Sequence, residues 1–165
     1  MSRILLLGLD PETVDYSDPA LPPGMTAEKV HVGIAVALKQ FAERGWESDL
    51  CLIRPDDTAV PTVERQLGST SYDCVVIGAG VRLPPRNLAL FEVIINAIRK
   101  VAPGAAIAFN TRPDDSADAA ARGLALGVEL YSPEQDHLSF ESQLSSLQER
   151  RHATGDNRPP RQSIR

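Results

Sequence analysis

Cysteine is scarce in this chain: Cys51 and Cys74 are the only two among 165 residues. Both fall inside short apolar runs, where a free thiol behaves as a small core hydrophobe, and no Cys-x-x-Cys spacing occurs. A disulfide scaffold and a thiolate metal centre are therefore not expected. Histidine is equally thin, and His31, His137 and His152 are too scattered to form a ligand spacing, so no metal site is assigned. Aromatic residues make up only 5%, which leaves the core to Val, Ile, Leu and Ala. No apolar run approaches the length that crosses a bilayer. The N-terminal run Met1–Leu7 stops at Gly8 and leads into Asp10-Pro11-Glu12 without a small-residue cleavage site. It reads as a first strand rather than a signal peptide, and the protein is expected to be cytoplasmic, with no membrane partner.

What is present has the size and balance of one ordinary globular domain: 42% hydrophobic and 24% charged residues. The net charge of −5 is unevenly spread. Arg150, Arg151, Arg158, Arg161 and Arg165 face only Asp156 at the C-terminal end, so the body is more acidic than the whole. An acidic body disfavours nucleic-acid binding. The basic end lacks aromatics for stacking on bases, and residues 152–165 read as a disordered tail after a single domain over residues 1–151. Homo-oligomerisation is left open.

Strand and helix signals alternate along the body. Strands are expected at Arg3–Leu9, Glu47–Ile53, Tyr72–Ile77, Ala105–Phe109 and, more weakly, Val128–Tyr131. Helices are expected from Thr26 (as N-cap) to Arg44, with Gly45 as the stop, from about Thr58 to Gly68, at Asn87–Val101, at Ala117–Leu126 and at Asp136–Arg151. Five such units make an α/β protein, a three-layer αβα sandwich around a five-stranded parallel sheet. The expected strand order is 2-1-3-4-5, with 3-2-1-4-5 as the alternative.

The most informative stretch is Asp73–Asn87. A buried-strand run, Cys74-Val75-Val76-Ile77, breaks into Gly78-Ala79-Gly80-Val81-Arg82-Leu83-Pro84-Pro85-Arg86-Asn87. In an open α/β sheet, ligands bind at this edge. The strand count and order resemble the flavodoxin-like and receiver-domain folds, as topology. The receiver resemblance would set Asp10 and Glu12 after the first strand as acidic residues, Thr111 after the fourth and Ser132-Pro133 after the fifth. It breaks where the phospho-accepting Asp is due, at Gly78, and where the Lys is due, at Ser132, so phosphoryl relay is not expected. A degenerate receiver-like interaction module stays among the alternatives. A flavodoxin resemblance would need a phosphate-cradling loop after the first strand, but Asp10, Glu12, Asp15 and Asp18 would repel a phosphate. Gly78-Ala79-Gly80 fails the dinucleotide fingerprint because Leu83 stands at the third glycine position. The cofactor, if there is one, stays unidentified.

The leading expectation is a small anionic or polar ligand at the C-terminal edge of the sheet. Gly78, Gly80, Arg82, Arg86, Asn87, Asn110, Thr111 and Arg112 would contact it, and the stiff acidic loop Asp10–Met25 would cover it. Arg82 and Arg86 could instead clamp that loop through ion pairs, with Asn87 as N-cap of the following helix. A second expectation is a small enzyme in which Asp10 orients His31 as a general base, His31 sharing a helix face with Ala27, Ile34, Ala35 and Leu38. Gly-x-Ser-x-Gly is absent, so no nucleophile elbow is expected. Asp114-Asp115-Ser116 reads as the cap of the fourth helix.

Overall fold

In a computed structural model, residues 1–129 are described. Four strands, β1 (Arg3–Leu9), β2 (Glu47–Ile53), β3 (Cys74–Ile77) and β4 (Ala106–Phe109), form one parallel sheet in the order β2-β1-β3-β4. Pairing is in register from Arg3↔Glu47 to Leu9↔Ile53, from Ile4↔Cys74 to Leu7↔Ile77, and from Cys74↔Ala106 to Ile77↔Phe109. Because β1 lies directly beside β3, the alternative order 3-2-1-4-5 is overturned. The chain turns to opposite sides of β1 on leaving for β2 and on returning to β3, which puts the topological switch point between β1 and β3.

The helices are α1 (Ala27–Glu43), α2 (Ala59–Ser69), α3 (Ala79–Arg82), α4 (Leu88–Val101) and α5 (Ser116–Glu129). Thr26 caps α1, its hydroxyl accepting the Lys29 amide at 3.3 Å, and Gly45 ends it with φ +74°. In α2, Pro61 lies in the first turn, where a missing N–H costs nothing. The loop expected after β3 contains the short helix α3, made by one turn of chain between Gly78 and the Pro84-Pro85 pair. The α5 helix runs through Glu129, so Val128 and Glu129 are helical rather than the start of a strand. The remainder of that expected strand, the helix at Asp136–Arg151 and the tail at 152–165 lie outside the described residues.

Alternation along the strands splits the core in two. Leu5, Leu7, Leu9, Cys51, Ile53, Val75 and Ile77 face one way and pack with Val63 and Leu67 of α2 and with Ile94, Ala97 and Ile98 of α4. Ile4, Leu6, Cys74, Val76 and Ala108 face the other way, toward Ala37 and Phe41 of α1 and Ala117 and Ala120 of α5. Small residues set this second layer. A Cβ at Gly33 would lie 2.7 Å from Pro113 Cβ, and one at Gly123 would lie 3.0 Å from Ala108 Cβ, so both glycines let a helix approach closely.

Candidate functional site

The pattern of the second layer changes at the C-terminal end of β1. After Ile4 and Leu6 the next residue on that face is Gly8, and a Cβ built there would meet nothing within 4 Å. The same face of β3 ends at Gly78, whose missing side chain leaves only the Leu7 carbonyl and Gly8 Cα nearby, at 3.3 and 3.4 Å. Gly8 therefore leaves this face of the sheet uncovered at the switch point, while Gly78 lets the chain leaving β3 lie close against β1. The result is a shallow cleft of about 80 Å³ that opens to solvent at its mouth.

Three walls enclose it. Leu6, Leu50 and Leu52 form the floor, and Val30 and Ile34 come from the first turns of α1. The segment after β1 adds Val14, Tyr16, Leu21, Pro22 and Met25. The third side is polar and consists of Gly78, Ala79, Gly80 and the β4 exit Asn110–Pro113. Arg112 is the one charged side chain lining the cleft among the described residues.

The expected site residues divide sharply. Gly78, Gly80, Asn110, Thr111 and Arg112 border the cleft. Asn110 is only 2% exposed and is used up structurally. Its side-chain oxygen accepts the Ala79 amide at 2.8 Å, its amide group donates to Ser116 Oγ at 2.9 Å, and its carbonyl accepts from Arg82 at 3.0 Å. Thr111 is held by the Asp115 carboxylate through its amide at 3.0 Å and through its hydroxyl. Arg112 is exposed, with Asp114 at 3.4 Å. The bonds made here cap the turn Pro113–Asp115 rather than α5 itself: Asp115 gathers the Thr111 and Arg112 amides, and Ser116 Oγ donates to the Pro113 carbonyl.

Arg82, Arg86 and Asn87 do not line the cleft. Arg82 leans back over the Phe109 ring, 5.5 Å from its centroid. Arg86 reaches across to the loop after β1, to Asp15 at 2.8 Å and Asp18 at 3.7 Å. This is the clamp geometry. Asn87 makes no capping bond; its amide donates to the Gly80 carbonyl at 2.9 Å, fixing the start of α4 to α3. Asp15 is held at a pKa of about 2, below its ordinary 3.8, first by the Ser17 hydroxyl and next by the Arg86 guanidinium. Burial pushes the Tyr16 phenol up, and its hydroxyl donates to the Pro11 carbonyl at 2.8 Å.

The expected Asp10–His31 pair is not formed. Asp10 caps the turn at Pro11–Thr13, its carboxylate accepting the Glu12 amide at 3.1 Å. His31 is half-exposed, and its Nε2 lies 3.1 Å from Glu12 Oε1. The buried face of α1 is Gly33, Ala37 and Phe41, flanked by Val30, Ile34 and Leu38; Ala35 is exposed with His31. Gly33 carries no apolar side chain, so the stripe read from the sequence rotates away from the true one.

The apolar walls are what the sequence reading missed. Their signal was Gly8, a glycine ending the leucine run of β1 at the functional edge of the sheet. Among the described residues no group of three or more His, Cys, Asp or Glu side chains could hold a metal ion, and no helix is long and apolar enough to cross a membrane. Neither known protein-family models nor curated proteins give a match to this chain.

Proposed function

We propose that the protein binds a small molecule at the strand-end cleft, with an apolar body against Leu6, Leu52, Ile34 and Met25 and a polar or anionic group turned toward Thr111 and Arg112. The observation that carries this reading is the lining. A concave, apolar space sits where Gly8 leaves the switch point open, with its polar groups on one side only. The expected location of a ligand is kept, while its chemistry shifts toward an amphipathic molecule because Arg82 and Arg86 are spent on Asn110 and the acidic loop. Support for an acid–base enzyme is smaller, since Asp10 is used as a turn cap and His31 meets Glu12 at the surface. The proposal also takes the four-strand order as the greater part of a flavodoxin-like 2-1-3-4-5 sheet, and the protein as a cytoplasmic, Rossmann-like binding module.

The test is titration with anilinonaphthalene sulfonate, an apolar body with one anionic group, followed by its fluorescence. Wild type should show saturable binding, and Gly8→Leu, which grows a side chain into the cleft, should lose it without a fall in Tm. Equal binding by the two proteins would remove the reading.

A further inference from the structure

The segment Pro11–Met25 supplies one wall of the cleft, yet the geometry that holds it is different on its two sides. Its inner side is apolar, with Pro11 and Leu21 buried. Its outer side is tied to the rest of the fold by charge. Arg86 donates to Asp15 and has Asp18 as a longer ion-pair neighbour, Glu12 meets His31, and Lys29 Nζ donates to the Gly24 carbonyl at 2.6 Å.

The Arg86 contact is built from both partners. Each aspartate divides its carboxylate. Asp15 Oδ1 accepts from Ser17, and Asp18 Oδ1 accepts the Ala20 amide at 2.9 Å, so one oxygen shapes the segment's own turns. The Oδ2 atoms are left for Arg86. On the opposite bank, Arg86 stands in the turn Pro85–Asn87, stiffened by Pro84-Pro85 and pinned to α3 by the Asn87–Gly80 bond. A rigid post therefore meets two pre-oriented carboxylates across the mouth of the switch point.

We infer that Pro11–Met25 is a strap over the cleft and that Arg86 is its latch, so that access to the cleft is set by rupture of the Arg86–Asp15/Asp18 contact. This rests on the ligand-binding reading for its purpose, and on geometry alone for its mechanism. The Arg86–Asp15 half is exposed on both sides, so it is weak and screened by salt, while the Asp18 side chain is largely covered. A latch of that strength opens often while keeping the apolar wall in place between openings.

Hydrogen exchange of the full chain tests the latch without any ligand. Arg86→Gln should speed exchange across residues 11–25 by about two- to fivefold, the scale of losing an exposed ion pair, and leave β1 and α4 unchanged. Asp15→Asn, which keeps the Ser17 turn and removes the charge, should do the same. Raising salt from about 20 mM to about 0.5 M should speed the wild-type segment more than that of Arg86→Gln, which keeps only the Glu12–His31 contact to screen. Unchanged exchange in both variants would overturn the latch. Stopped-flow association of anilinonaphthalene sulfonate separates the two readings. Faster association by Arg86→Gln supports the latch as a gate, whereas association at the wild-type rate despite faster exchange overturns that role. Absence of binding to every form removes the ligand while leaving the exchange result to judge the strap.

Discussion

The Asn110 side chain holds the Ala79 amide at 2.8 Å, joining the residue after β4 to the first residue of α3 across the end of the sheet. Through Ser116 Oγ the same side chain reaches the start of α5. One buried amide thus fixes three chain segments around the polar side of the cleft. Ala79 would otherwise present a buried N–H at a helix start too short to satisfy it.

Asn110→Ala should therefore be costly. It strands the Ala79 amide and removes the Ser116 contact, and a buried donor left unsatisfied costs about 1–3 kcal/mol. The urea midpoint should fall with no change in slope, since the compactness of the folded body is kept. Ser116→Ala should cost less, because Asn110 still holds Ala79.

Two helical and strand glycines should respond in opposite ways. In α1, Gly33→Ala would gain about 1 kcal/mol of helix propensity in isolation. Here the new methyl lies 2.7 Å from Pro113 Cβ, and overpacking of that kind costs about 1–3 kcal/mol. In β1, Gly8→Val meets open space and adds a β-branched residue to a strand, so its Tm should hold or rise. Thermal unfolding of the two variants checks the pair; a Gly33→Ala protein more stable than wild type would contradict the close approach of α1 to Pro113.

Much of the frame was legible in the sequence because it follows from local chemistry. The β-branched run Cys74–Ile77, the Thr26 cap and the Gly45 stop each specify an element without reference to the rest of the chain. The position of Gly78–Gly80 and Asn110–Arg112 at one edge follows from strand order alone. What was not legible depended on partners distant in the chain. Arg86 has Asp15, 71 residues away, as its destination, and nothing in its neighbours distinguishes that from a ligand contact. The face of α1 was misplaced because Gly33 is buried for its smallness against Pro113, a contact that hydrophobic periodicity does not register.

The two thiols should be inert in the folded protein. Burial pushes Cys51 up to about 11 and Cys74 up to about 12, and the thiolate is the reactive form. A disulfide reagent at neutral pH should label neither until denaturant is added, after which both should react. Rapid labelling of native Cys74 would mean that β3 is accessible between α1 and α5.

The acid response of the strap should report on Asp15. Its folded pKa, about 2, lies below its ordinary 3.8, so the ordered segment favours the ionised carboxylate. The resulting stabilisation is fully present above the ordinary value and is lost as pH falls through the folded value, between about pH 4 and pH 2. Carboxyl-carbon NMR should give Asp15 a midpoint near 2. Both Ser17→Ala and Arg86→Gln should raise it, and Ser17→Ala should raise it more, because the Ser17 hydroxyl is the larger cause and Arg86 the second. A wild-type midpoint at the ordinary value would show that Asp15 makes neither contact in solution. A midpoint that responds to Ser17→Ala and not to Arg86→Gln would leave the turn intact and the latch unfastened.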